Sequence, residues 1–226
     1  MENFYRLWAE LRRRFPHLLI DNCASGGRRL DFEANTNSVS LFRTDYLCYA
    51  DCNPAGMQLQ TAGLAPFVPL NGLVCRVIPT WYELLSRLAP GFALAAAAVQ
   101  EALNSEADRA LLQRQLAVLL RARPLFCGDF YRFSSVTLDE RDWFAYQLNL
   151  PEEGKACVFS ARRSRCAMGS ATYELKGLEP DALYVLEDAE TGSLLGKRTG
   201  NTLMTEGLTV TLPQKETASL IFITRE

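Results

Sequence analysis

A chain of 226 residues can hold one large domain or two small ones, and its 48% hydrophobic and 22% charged residues are ordinary for a globular protein. A formal net charge of −2 supplies no field to gather nucleic acid or an anionic membrane, so neither partner is expected. The first residues show no secretory signal pattern, and the longest apolar run, 91–99, is too short to cross a bilayer. These features predict a cytoplasmic protein without membrane spans.

The first part of the chain alternates helical patterns with short apolar runs. Helices are predicted at 4–15, where Pro16 stops the helix, at 54–65, at 81–88, and from an N-cap at Ser105 to about Arg121. Strands are predicted at 18–20, 39–42, 66–72 and 91–99, although the alanines of the last run fit a helix equally well. Four βα-like units are half of what a closed eight-stranded barrel needs, since such a barrel takes about 250 residues.

Beyond about residue 135 the pattern changes to short β-like segments separated by glycines. These segments are 143–148, 156–160, 172–175, 183–186, 208–212 and 219–224. Regular spacing of short strands is typical of an antiparallel sandwich. We therefore expect an α/β part at 1–135 and an all-β part at 136–226, with a boundary between Phe133 and Arg141.

Polar segments follow the first two predicted strands, where side chains reach the mouth of a parallel barrel. The first holds Asp21, Asn22, Cys23, Ser25, Gly26 and Gly27, and the second holds Arg43, Thr44 and Asp45. Four of these residues also have a plain structural explanation. Asp45 could cap a loop or pair with Arg43, Cys23 could be a small buried apolar residue, and paired glycines mostly mark turns.

Other candidate groups point to structural roles. The seven cysteines form no Cys-x-x-Cys pair, and His17 is the single histidine, so free thiols and no metal site are expected. His17 lies before its strand, which argues against a Ser-His-Asp machine, and no phosphate-binding glycine motif occurs. Asp31 and Glu33 are expected to be solvated or paired with neighbouring arginines. A further set of aromatics could stack on a sugar but is more often core: Trp81, Tyr82, Tyr131 and Phe133.

Residues 21–31, Asp-Asn-Cys-Ala-Ser-Gly-Gly-Arg-Arg-Leu-Asp, resemble the CxSGG…D motif of glycoside hydrolase family 36, the α-galactosidases and their relatives. Residues 41–46 resemble that family's LWRSDY segment, with Phe42 for Trp and Thr44 for Ser, and the spacing from Cys23 to Asp45 agrees. Later segments at 58–69, 82–90, 123–131, 177–184 and 188–192 are also similar, so the likeness covers nearly the whole chain.

The resemblance implies a fold class, a reaction and a set of site residues. The fold would be the C-terminal half of a (β/α)₈ TIM-type barrel, about strands five to eight, followed by an antiparallel β-sandwich. The reaction would be retaining hydrolysis of terminal α-galactosides without a cofactor or metal. Asp45 would be the general acid/base, while Cys23 and Gly26 would line the sugar pocket.

Retaining hydrolysis needs a second carboxylate about 5–5.5 Å from the first. In the family this nucleophile lies in a Lys-x-Asp motif, and the four lysines here, Lys155, Lys176, Lys197 and Lys215, are followed at the second position by Cys, Leu, Thr and Thr. The expected explanation is a C-terminal fragment that is inactive as an isolated polypeptide. Half a barrel has open sheet edges, so self-association or an N-terminal half-barrel companion is expected.

Two alternatives remain open at the level of sequence. The chain could be a non-catalytic carbohydrate-binding or interaction remnant that keeps the sandwich without the chemistry. It could also be one half of a split enzyme, completed by a separately encoded polypeptide.

Overall fold

The computed structural model describes residues 2–23, 26–49, 52–68 and 70–226. The first part contains α1 (Glu2–Arg14), α2 (Phe32–Asn37), α3 (Pro54–Leu64), β1 (Gly72–Cys75), α4 (Trp81–Ser86), β2 (Gly91–Leu94), α5 (Ala96–Asn104) and α6 (Glu106–Ala122). The second part contains β3 (Asp129–Arg132), β4 (Phe144–Leu150), β5 (Lys155–Arg162), β6 (Ser170–Tyr173), β7 (Leu183–Asp188), β8 (Leu194–Thr199), α7 (Gly200–Thr205), β9 (Leu208–Thr211) and β10 (Thr217–Arg225). Within these residues, no helix combines the length and apolar composition that crossing a membrane requires.

Side-chain caps fix where the predicted helices begin. The Ser105 hydroxyl accepts the Asp108 N–H at 3.2 Å and starts α6, as predicted. The Asn53 side chain accepts the Gly56 N–H at 3.1 Å, with Pro54 in the first turn of α3. Each cap satisfies a backbone donor that the helix itself leaves unpaired.

Four chain segments run parallel and in chain order. Asp21 pairs with Val39, Ser40 pairs with Asn71, and β1 pairs with β2. The third strand begins later than the predicted 66–72, because the N–H groups of Phe67 and Val68 bond back to the Leu64 carbonyl at 2.9 and 2.7 Å. The run at 91–99 divides between β2 and α5, whose alanines favour a helix.

The second part is dominated by an antiparallel sheet of six strands in the order β3-β4-β5-β10-β7-β8, with a separate pair β6-β9. This confirms the prediction of antiparallel, sandwich-like structure after the change in sequence pattern. The edge strands β3 and β8 were not predicted. β3 is only four residues long, with its two middle residues partly buried, and β8 is exposed along nearly its whole length, so neither shows the alternation typical of a half-buried strand.

The large sheet is covered on both faces, which explains why β4 and β5 are buried along almost their whole length. On one face Phe144, Phe159 and Leu220 pack with Leu84 of α4 and Leu119 of α6. On the other face, residues of β4, β5 and β10 pack against β6 and β9. The division into 1–135 and 136–226 stays a prediction. β3 belongs to the large sheet although it lies before this boundary.

A buried arginine ties the two parts together. Arg163, which follows β5, donates through Nε to Oε1 of Gln58 in α3 at 2.8 Å and through Nη1 to the Thr137 carbonyl at 2.7 Å. Its guanidinium also lies 4.6 Å from the centre of the Phe144 ring. The Gln58 side chain in turn donates a hydrogen bond to the Ser86 hydroxyl at 2.9 Å.

We expect Arg163→Met to lower the free energy of unfolding by about 3 kcal/mol, because Gln58 and two backbone carbonyls would lose a charged donor inside the protein. Urea denaturation followed by tryptophan fluorescence measures this change. Arg141→Met is the matched control, since that arginine is exposed and pairs with Asp139 at the surface. An unchanged midpoint for Arg163→Met would contradict the role assigned to this contact.

Candidate active site

The first polar segment is held by its own backbone and by the neighbouring strand. The Asn22 N–H donates to the Val39 carbonyl at 2.6 Å, and its side-chain amide donates to the Arg29 carbonyl at 2.7 Å. Oδ1 of Asp21 accepts the Leu41 N–H at 3.1 Å. Asp21 and Asn22 therefore have structural roles that bring residues 21–31 and 39–45 side by side.

The glycine pair lies directly against the predicted acid/base. Gly26 and Gly27 have φ values of +63° and +97°. A Cβ on Gly26 would lie 2.0 Å from the Asp45 nitrogen and 2.8 Å from its Cγ, and a Cβ on Gly27 would lie 2.4 Å from the Arg43 carbonyl oxygen. These distances leave no room for a side chain, so both positions require glycine. The two sequence motifs are therefore in direct contact.

Asp45 opens a short 3₁₀ helix, Asp45–Cys48, and its side chain is exposed. The Thr44 hydroxyl caps this turn by accepting the Tyr46 N–H at 3.2 Å. Two exposed rings follow, Tyr46 and Tyr49, with centroids 6.3 Å apart. This aromatic pair was not predicted, although the two tyrosines lie only one and four positions after the acid.

Arg43 is not the partner of Asp45. It is buried and donates to Oδ1 of Asn71 at 3.0 Å and to the Arg87 carbonyl at 3.5 Å. Burial lowers the pKa of Arg43 to about 10. These bonds fasten the segment that carries Asp45 to the next parallel segment and leave the carboxylate at the surface.

Cys23 is an exposed free thiol and not a buried apolar residue. Asp21 pairs in parallel with Val39, so Cys23 follows its strand at the same end of the pair as the second polar segment follows the neighbouring strand. Ser25, part of the same motif, lies outside the described residues. The structure thus brings Gly26 and Asp45 together and places Cys23 at the same end of the strands.

Two further groups from the sequence analysis have structural roles. Asp31 is the N-cap of α2, where Oδ1 accepts the Ala34 N–H at 2.8 Å, and Oδ2 accepts the Tyr5 hydroxyl at 3.2 Å. Phe133 stacks on Tyr173 with centroids 5.3 Å apart, inside the sandwich. Neither residue is available for direct chemistry.

No protein-family model matches the chain. α-Galactosidase C of Emericella nidulans is 26% identical over 238 aligned positions, which cover the whole chain and 30% of that enzyme. The chain therefore spans less than a third of the length of this curated relative.

Solved structures show the same fold over 99% of the chain. The family-36 α-galactosidase AgaB of Geobacillus stearothermophilus superposes with a TM-score of 0.74 at 21% identity, and a variant of AgaA from the same organism, solved with stachyose, gives 0.73 at 20% identity. The chain covers 31% of each of these structures. In sequence and in fold, the chain thus matches the C-terminal portion of the family-36 α-galactosidases.

Proposed function

We propose that this chain supplies the acid/base and one wall of the sugar pocket of an α-galactosidase-type retaining site. The observation that carries the proposal is the contact between Gly26 and Asp45, which unites the two family-like motifs without space for a side chain. Asp45 is the acid/base in this proposal, and Cys23 and Gly26 face the sugar. The stachyose bound by the AgaA variant supports an α-galactoside as the substrate class.

The proposed chemistry has two steps. Asp45 first donates a proton to the glycosidic oxygen as the bond to the sugar breaks, and a second carboxylate attacks the anomeric carbon. Asp45 then takes a proton from the water that releases the sugar from that carboxylate. Because the 226 residues contain no Lys-x-Asp motif, the second carboxylate comes from a half-barrel that lies outside them.

The four parallel segments support a half-barrel at 1–135, with the sandwich at 136–226. Their order along the sheet follows the order along the chain, as in a (β/α)₈ barrel. An apolar cleft of about 580 Å³ lies beside them and is lined in part by Leu19, Leu41 and Leu70. Leu19 is 85% exposed. A half-barrel companion or a second copy of the chain would cover this surface.

Complementation tests the proposal. We expect the 226-residue chain alone to release no nitrophenol from 4-nitrophenyl α-galactoside, because a retaining site needs both carboxylates. Adding the N-terminal part of AgaB, ending where its likeness to this chain begins, should produce hydrolysis. Activity of these 226 residues alone would contradict the placement of the second carboxylate outside them. A stable complex that stays inactive would favour the non-catalytic alternative.

A further inference from the structure

A second cleft, of about 830 Å³, opens where α4 meets the end of the sandwich. One wall is formed by Cys52, Pro54, Thr80, Trp81, Tyr82 and Glu83, and the other by Glu190 and residues 212–214 and 216–218. We call it the junction cleft. None of Cys23, Gly26 and Asp45 lines it, and its size falls in the range typical of ligand sites.

The first wall carries aromatic rings on a rigid support. Trp81 and Tyr82 are half-buried and pack against the core that α4 shares with the large sheet. Burial raises the pKa of Tyr82 to about 12, so its hydroxyl remains a neutral donor and acceptor. The rings therefore present fixed apolar surface beside a hydroxyl, which suits the C–H face and the hydroxyl edge of a sugar.

The opposite wall carries oxygen-rich side chains. Glu190, Gln214 and Glu216 line it, while across the cleft Oε2 of Glu83 accepts the Thr80 N–H at 2.8 Å. Burial, followed by the nearby Asp188, raises the pKa of Glu190. Among the described residues that line the cleft, none is lysine or arginine. The lining therefore offers acceptors for neutral hydroxyl groups, and it offers phosphates and carboxylates no lysine or arginine as a partner.

Glu216 has a backbone conformation that a glutamate adopts at a cost. Its φ is +53°, and it is the one non-glycine residue with positive φ among those the structure describes. The Glu216 N–H donates to the Arg162 carbonyl at 2.8 Å, which holds this conformation. Strain of this kind clusters at ligand sites. A glycine would fit the backbone without strain but would remove a carboxylate from the cleft.

We propose that the junction cleft binds a neutral oligosaccharide. Trp81 is the stacking platform, and the carboxylates of Glu190 and Glu216 accept hydrogen bonds from sugar hydroxyls. Binding here does not depend on the acid/base assignment of Asp45, so the two proposals can fail independently.

Calorimetry of the 226-residue chain with raffinose, a neutral trisaccharide, tests this inference. We expect saturable binding that Glu216→Gly weakens at least tenfold, while the same substitution raises the thermal midpoint by removing the strained φ. Trp81→Ala should abolish binding, and Trp81→Phe should restore part of it. Trp8→Phe is the control and should bind as the parent chain does, since Trp8 does not line the cleft.

Four results would overturn the inference. Raffinose could fail to bind the parent chain up to its solubility limit. Binding could survive Glu216→Gly. This variant is expected to fold at least as well as the parent, so the test stays valid even if Trp81→Ala does not fold. Loss of binding in Asp45→Asn would move the sugar to the acid/base site. Tighter binding of spermidine than of raffinose would show that the cleft selects cations.

Discussion

Asp45→Ala should lower kcat for 4-nitrophenyl α-galactoside by about 10²–10⁴-fold in the complemented enzyme, because both proton transfers lose their donor and acceptor. Nitrophenolate leaves with little need for a proton, so the step that suffers most is the attack of water on the sugar–enzyme intermediate. An added anion that needs no general base, such as azide, should then restore turnover and yield galactosyl azide. The release of nitrophenol and the chromatography of this product measure both effects.

Rescue by azide distinguishes a chemical role for Asp45 from a structural one, since an anion cannot repair a misfolded loop. Asp181→Ala provides the matched control, because this aspartate is exposed and lies before β7, in the second part of the chain. It should leave kcat unchanged. If Asp45→Ala retained full activity, or lost activity that azide did not restore, the acid/base assignment would be wrong.

Gly26→Ala should lower the activity of the complemented enzyme at least about 100-fold, since a displacement of about 1 Å at a reacting group can have an effect of this size. The new methyl group would lie 2.0 Å from the Asp45 nitrogen, so either the glycine loop or the carboxylate must move. Kinetics on 4-nitrophenyl α-galactoside measure the loss, and thermal denaturation measures the accompanying strain.

Gly192→Ala separates this steric effect from the effect of backbone conformation. Gly192 also has a positive φ, +70°, but a Cβ there would meet nothing within 4 Å. The substitution should therefore reduce stability by about 1–2 kcal/mol and leave kcat as it was. Equal losses of activity in the two variants would show that crowding against Asp45 does not control the site.

Local signals in the sequence predicted the elements whose ends are fixed by neighbouring residues. Ser105 begins α6 because its hydroxyl bonds to a backbone group three positions away, and Pro16 follows the end of α1. The central strands were indicated by segments in which the residues of both faces are β-branched or apolar. The edge strands β3 and β8 escaped because β3 is only four residues long and β8 is exposed along nearly its whole length, so neither carries an apolar alternation.

The proximity of the two polar segments was predictable from the strand order. The ends of two consecutive parallel strands meet, so both segments were expected at one end of the strands, and the structure places Gly26 and Asp45 in contact. The burial of Arg43 was not predictable, because its partners Asn71 and Arg87 lie 28 and 44 positions further along the chain. Local patterns carry no information about such distant partners.

The strand order of the large sheet has a consequence for synthesis on the ribosome. β10 is the last strand of the chain, yet it lies in the middle of the sheet, paired with β5 on one side and β7 on the other. Until β10 has been synthesised, the nascent polypeptide therefore has two unfinished β surfaces, which bind chaperones or aggregate readily. A stop codon at position 217 would delete the centre of the sheet, and the truncated product should be degraded.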